Sequence, residues 1–213
     1  MLPVGEPRWR RRKEARPGEI VAAALAVFAE KGFAAARLDD IAARAGVSKG
    51  ALYLYFETKQ DLFAAVVRDA VSPNLAAVEA LASGVDLPFA QVARMLLGRA
   101  ADLMIASPVG PVAKMVIAES RNFPELARVW HDEVVARMLG VLTGLIERAQ
   151  ARGELRPGEP RYHALSMIGP LLMGLLWREV LEPAGARPID LRALAQQHIE
   201  TVLGGLLVEG GRR

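Results

Sequence analysis

Along most of this chain, apolar residues recur three or four positions apart, the spacing of one helix face, in segments punctuated by Gly and Pro. A first helix is predicted to start near Pro17, whose fixed φ suits a first helical position. It turns Ile20, Ala24, Leu25 and Phe28 inward and ends at Gly32. The run from Leu38 to Ala45 has Asp39 and Asp40 in its first turn, where the helix dipole favours acid. It stops at Gly46, a residue suited to the left-handed position after a helix. Ser48 then offers a capping hydroxyl to a third helix through Tyr55, leaving only Ala45 to Val47 between the two. Two short helices with a tight Gly-containing turn make a helix-turn-helix. A fourth helix is predicted from Thr58 through Leu62, Phe63, Val66 and Val67 to at least Val71, with Pro73 as its kink or end. More helices are expected around 88–106, 109–120, 124–151, 160–182 and 188–207, separated by Pro108, Pro124, Gly153, Pro157 to Pro160 and Pro183 to Pro188.

The expected fold is therefore all-α: an N-terminal three-helix helix-turn-helix domain and a larger C-terminal helical domain. The partition reads as an arm over 1–16, a DNA-binding domain over 17–70 and a ligand-binding and dimerisation domain over 71–213. Composition agrees, being rich in Ala, Leu, Val, Glu and Arg and poor in strand formers. The absence of cysteine excludes disulfides, thiolate metal sites and cysteine nucleophiles, and suits a reducing cytoplasm. His131, His163 and His198 are far apart with no i, i+4 partner, so neither a metal nor another cofactor is expected. Glu119, Arg121, Asp132 and Glu133 are residue types found in acid/base catalysis, but they read more simply as solvated helix faces and interhelical pairs. The longest apolar stretch, Ala164 to Trp177, has 14 residues and is interrupted by Ser166, Gly169, Pro170 and Gly174. It reads as a buried helix and not as a membrane span.

Charge sharpens the picture once it is divided. Of the net +3, all lies in residues 1–70, which hold 12 Lys or Arg against 9 Asp or Glu; residues 71–213 hold 15 of each. Across residues 8–16 of the arm, Arg8, Arg10, Arg11, Arg12, Lys13 and Arg16 face only Glu14, so this stretch is basic where a secretory signal is apolar. It reads as a phosphate-binding arm, with Arg12 and Lys13 nearest the domain, or else as a solvated terminus.

The stretch from Ile41 to Lys59 reads IAARAGVSKGALYLYFETK. Leu52 and Phe56 are four apart and pack with Ile41 and Val47, while Lys49 and Tyr53 share a different face. A recognition helix in a major groove needs small or hydrogen-bonding residues near its start and phosphate partners around them. Lys49, Gly50 and Ala51 meet the first need; Ser48, Tyr53, Tyr55 and Lys59 meet the second. Residues 17–66 resemble the DNA-binding domain of the TetR/AcrR family of bacterial regulators. The resemblance is carried by an aromatic-ended first helix, Lys31-Gly32-Phe33, Asp40-Ile41-Ala42, Ala45-Gly46-Val47-Ser48, Gly50, Leu52-Tyr53, Tyr55-Phe56, Lys59 and Leu62. It implies phosphate contacts by Tyr53, Tyr55 and Lys59, and base contacts by Lys49, Gly50 and Ala51. Arg37 stands where the family has a capping Ser or Thr, and it retains the reach for a phosphate.

The same resemblance implies that the C-terminal region binds a ligand and dimerises through its last two helices. Leu191, Leu194, His198, Ile199, Val202 and Leu206 form an apolar stripe suited to a partner copy or to an intramolecular core, and Gly169 and Gly174 permit close helix approach. Pro170 removes a donor from its helix and frees the carbonyl of Ser166. Met95, Met104, Met115, Met138, Met167 and Met173 are flexible fillers suited to an adaptable pocket or to ordinary packing. Phe123, Trp130 and Trp177 accompany them, with Asn122 or His131 as polar groups to orient a ligand. The function expected is a dimeric, cytoplasmic transcriptional regulator, a repressor on a palindromic double-stranded operator, released by a small apolar effector and with no membrane partner. A ligand-independent DNA protein would instead have a sealed C-terminal core. An enzyme would need a nucleophile–base pair, a phosphate loop or a metal cluster, none of which the sequence offers.

Overall fold

A computed structural model describes residues 12–83 and 87–208. They form helices joined by short turns, with one isolated bridge, Leu155 to Leu207, in place of any strand among the described residues. Helix α1 (Arg12–Ala35) begins before Pro17 and is broken at Gly32. Helices α2 (Leu38–Arg44) and α3 (Lys49–Tyr53) flank a turn in which Gly46 adopts φ 66°, a conformation that a side chain at this position would strain. Ser48 caps α3 by accepting from the Ala51 amide at 3.2 Å, whereas Arg37 makes no side-chain cap for α2.

Helix α4 (Lys59–Ser83) opens with a reciprocal cap. Asp61 accepts from the Thr58 amide at 3.0 Å, and the Thr58 hydroxyl accepts from the Asp61 amide at 3.0 Å. It then runs unbroken through Pro73 and past the expected boundary at residue 70. Its second half is held by Leu75, Val78 and Ala82, all buried, so tertiary packing outweighs the single backbone bond that Pro73 removes.

Helices α5 (Phe89–Ala106) and α6 (Val109–Glu119) follow as expected, then α7 (Pro124–Trp130) and α8 (Ala136–Ala151) as one rod joined by a π-helical turn over His131–Val135. Helix α9 (Pro160–Leu176) likewise continues into a π-helical turn, Trp177–Leu181, and α10 (Leu191–Leu206) starts after Asp190, which accepts from the Arg192 and Ala193 amides. The orphan Phe89 amide at the start of α5 is satisfied from across the domain by Glu154, at 2.6 Å. Pro170 sits inside α9. His198 Nε2 lies 3.1 Å from both Ser166 O and Met167 O, so it carries the proton and donates to the carbonyl that Pro170 leaves without a partner.

Two apolar cores result. One joins α5, α8, α9 and α10. The other holds Phe28, Phe33 and Phe63 in mutual ring contact at 5.4–6.3 Å, and it is completed by Val112, Met115 and Val116 of α6 and Leu126 of α7. Each such side chain contributes about 1.5–3 kcal/mol on burial. The helix-turn-helix thus shares its core with the domain behind it.

Candidate DNA-binding face and effector cavity

Helix α3 divides cleanly between an inner and an outer face. Leu52 is wholly buried against Ile41, with Val47 and Phe56 half-buried beside it. Lys49, Gly50, Tyr53 and Tyr55 are exposed, as is Arg37 before α2; Ala51 is half-buried. Lys49 pairs with Asp39 at 2.7 Å, and this hydrogen bond holds its ammonium above the usual lysine range. Such an exposed pair is worth little and exchanges readily for a phosphate or base contact. Arg12 and Lys13 lie outside the residues whose side chains are described.

Lys59 departs from its expected place at the phosphate backbone. Its ammonium turns inward and donates to Phe33 O at 2.6 Å, Ala34 O at 3.1 Å and Ala36 O at 3.0 Å, above the Phe33 ring at 4.5 Å. All three of its donors are occupied by the end of α1, whose last carbonyls lack helical partners. Burial draws this lysine below its ordinary pKa, opposed by the carboxylate of Glu119.

Glu119, the last residue of α6, accepts from the Ala34 amide at 3.2 Å. Phe123 packs on Phe33 at 5.0 Å. Gln60 to Glu125 (3.2 Å) and Arg68 to Glu133 (2.6 Å) extend this junction along α4.

Behind the junction lies a cavity of about 200 Å³. Leu75 and Val78 of α4, Met104 of α5, Trp130 of α7, Met138 of α8 and Ile168 of α9 line it, with Val109 at the start of α6. Every lining residue is apolar. A dry cavity of about 150 Å³ already holds benzene, so this space suits a small apolar molecule.

Met104, Trp130 and Met138 therefore stand where a pocket wall was expected, and six other residues do not; of these Met167 is wholly buried in the core of α5, α8, α9 and α10. Met95 is 45% exposed on the back of α5, whose inward stripe is Phe89, Val92, Ala93, Leu96, Leu97, Ala100 and Ala101. Met115 and Phe123 belong to the shared core at the junction. Met173 and Trp177 line a shallow outer groove with Pro170 and Leu194, and Trp177 Nε1 donates to Arg187 O at 3.0 Å. Asn122 and His131 are exposed and line no part of the cavity. Among the wall residues that sequence reasoning missed, Leu75, Val78 and Ile168 lie on apolar stripes indistinguishable from core.

The outer side of α9 and α10 is apolar and uncovered. Tyr162 and Met173 are 70% and 51% exposed, and Leu194, His198, Val202 and Leu206 are half-buried, whereas Leu165 and Leu172, 43% and 40% exposed, belong to the cavity wall. Leu191, expected at a dimer face, is instead 2% exposed inside its own protomer. There it packs over Gly174, where an added Cβ would stand 2.5 Å from its Cδ2. Helix α9 with its π-helical turn, Pro160–Leu181, is 22 residues long, and its most apolar 18-residue window has a mean hydropathy of 1.4, so by length and composition it passes for a membrane span. The helix extends beyond both ends of the 14-residue apolar run, through Arg161 and His163 on one side and Arg178 and Glu179 on the other.

Residues 20–66 match the model for bacterial regulatory proteins of the tetR family, and residues 91–204, more than half of the chain, match that for the C-terminal domain of AefR-like transcriptional repressors. The chain belongs to the TetR family of bacterial transcriptional regulators. As a TetR-family protein it is a helix-turn-helix DNA-binding protein, in a family of regulators and not of enzymes. It is 45% identical over 56 residues to the transcriptional activator FasR of Mycolicibacterium smegmatis, a match spanning 26% of either chain, about a quarter of FasR's length. It is 28% identical over 168 residues to the regulator RutR of Escherichia coli K12, covering 72% of this chain and 70% of RutR. Among solved structures, a TetR-family regulator from Mesorhizobium loti superposes with a TM-score of 0.73 at 25% identity, over 95% of this chain and 100% of that one. SmeT, the repressor of a Stenotrophomonas maltophilia multidrug efflux pump, shares the fold in its triclosan complex, with a TM-score of 0.75 at 24% identity over 93% of this chain and 95% of SmeT.

Proposed function

We propose that this TetR-family regulator is a repressor that binds a near-palindromic operator as a homodimer and is released by a small, neutral, apolar effector. The observation that carries the reading is α4: one continuous helix is fixed at its start to the helix-turn-helix by Lys59 and lines the cavity with Leu75 and Val78. In this reading Lys49, Gly50 and Ala51 approach base edges, while Arg37, Ser48, Tyr53 and Tyr55 hold phosphates. Lys59 positions the head. The exposed apolar side of α9 and α10, with Leu194, Val202 and Leu206, takes the second copy, which accounts for a long apolar helix left largely uncovered. The protein acts in the cytoplasm, on the nucleoid.

An effector in the cavity presses on Val109 and Trp130, at the start of α6 and the end of α7. Helix α6 ends on the helix-turn-helix domain at Glu119, and α7 begins against it at its capping residue Phe123. The effector must favour the geometry that does not bind DNA, and a 100-fold release needs about 2.7 kcal/mol of coupling. Its affinity comes from apolar burial at roughly 25 cal/mol per Å². That triclosan occupies SmeT, a protein of the same fold, is in keeping with such a ligand.

The test is footprinting and sedimentation on duplexes selected from random DNA, with and without a panel of neutral apolar compounds. The expected result is a two-fold footprint by a dimer, lost on addition of a compound that binds. A monomer on one asymmetric half-site, or compounds that bind tightly without altering operator affinity, would overturn the reading.

A further inference from the structure

Leu54 is 84% exposed, the most uncovered large apolar side chain among the described residues. It follows the last residue of α3 and lies between Tyr53 and Tyr55, which are about 42% and 41% exposed. Leu52 and Phe56, two positions to either side, face the core, so Leu54 faces away from it. It lies four residues after Gly50, at which an added Cβ would meet nothing within 4 Å. In helical geometry a side chain leans back over the turn before it, which sets the Leu54 isobutyl group over the open space at Gly50. Gly50 and Leu54 make an apolar strip beside the polar pair Lys49 and Tyr53, both on the outer face of the recognition helix.

A single exposed leucine is ordinary on a protein surface. Its place here is what gives it meaning. Leu54 has no group with which to hydrogen-bond a phosphate or a base edge, and a major groove offers one apolar feature, the thymine C5-methyl group. A glycine in the preceding turn lets α3 approach the groove floor closely enough for an isobutyl group to reach that methyl. We infer that Leu54 is a specificity-determining residue: it packs on a thymine methyl in each operator half-site, with Gly50 providing the clearance. The inference rests on operator binding through α3, and it assigns to one side chain a base preference that the polar residues of the helix do not supply.

The experiment uses the full-length protein and the duplex it selects from random DNA. Each thymine is replaced in turn by deoxyuridine, which lacks only the methyl group. The expected result is one position per half-site at which uridine weakens wild-type binding by about fourfold, the factor for one buried methyl-sized group. Leu54→Ala should be insensitive to uridine at that position and should select operators with no thymine preference there. Because Leu54 is almost wholly exposed, thermal melting of the variant should match wild type. If no position is uridine-sensitive, or if wild type and Leu54→Ala respond alike, the role of Leu54 is overturned while operator binding stands. If the protein enriches no sequence at all, operator binding fails and this inference with it.

Discussion

Lys59→Met removes an ammonium group while retaining an apolar stem against Phe33 and Phe123. Two of its three carbonyl partners, Phe33 O and Ala36 O, are part-buried, and the third, Ala34 O, is exposed and rehydrates without cost. Losing two charged hydrogen bonds at about 1.5 kcal/mol each, the low end for a charged bond because both carbonyls are only part-buried, with about 0.5–1 kcal/mol of cation–π attraction, amounts to about 3.5 kcal/mol. For a chain of this size, that lowers the melting temperature by about 7–14 °C. The assay is thermal unfolding paired with operator affinity across a salt series. A lysine on a phosphate would flatten the slope of log affinity against log salt by about 0.9 per contact and leave melting unchanged. The geometry demands the opposite, a large fall in melting temperature with an unchanged slope. A flattened slope at unaltered stability would refute the assignment of Lys59 as the clamp on α1 and return it to the DNA backbone.

Two further outcomes follow from the other domain. Ala100, at the cavity wall, becomes a plug as Ala100→Leu: operator affinity should stay within about twofold, while any effector that releases wild type should lose at least about tenfold in affinity, since about 1.4 kcal/mol of lost burial suffices; calorimetry showing undiminished effector binding would contradict the cavity assignment. At Glu154, burial alone would raise the pKa, but hydrogen bonds from Arg152 and the Phe89 amide prevail and hold it below the ordinary glutamate value. Its stabilisation is therefore complete above the ordinary glutamate range and disappears as pH falls through the lowered folded value. Glu154→Gln should cost about 1 kcal/mol at neutral pH, with the two melting curves converging in acid; a gap independent of pH would disprove the argument.

Helix existence was legible because Gly and Pro fall between the apolar stripes, so the spans 89–106 and 109–119 match expectation nearly to the residue. The passage of α4 through Pro73 was not, since local propensity opposes it and only the burial of Leu75, Val78 and Ala82 outweighs that preference. Nor does the chain carry any signal for the two π-helical turns. At the site, residue type proved a poorer guide than position. Methionine is a good pocket filler, but Met95 falls outside the i, i+3, i+4 stripe of its own helix, and reading that register would have placed it in solvent. Leu54 was visible in the same way, as the one apolar residue of its stretch out of register with Leu52 and Phe56. Met115, Phe123 and Lys59 could not be resolved by register. Each faces inward, and which neighbour it meets there depends on how distant helices dock.

The shared core beneath the helix-turn-helix bears on how such proteins diversify. A head severed after residue 70 would carry Phe33 and Phe63 with one wall missing, since Val112, Val116 and Leu126 supply it from beyond the cut. Exchange of heads between regulators by recombination at that point would leave a mismatched seam unless α6 travelled with the head. New operator preferences are then more readily acquired by point substitution on the outer face of α3, where the exposed Lys49–Asp39 pair is a weak constraint, than by shuffling whole domains.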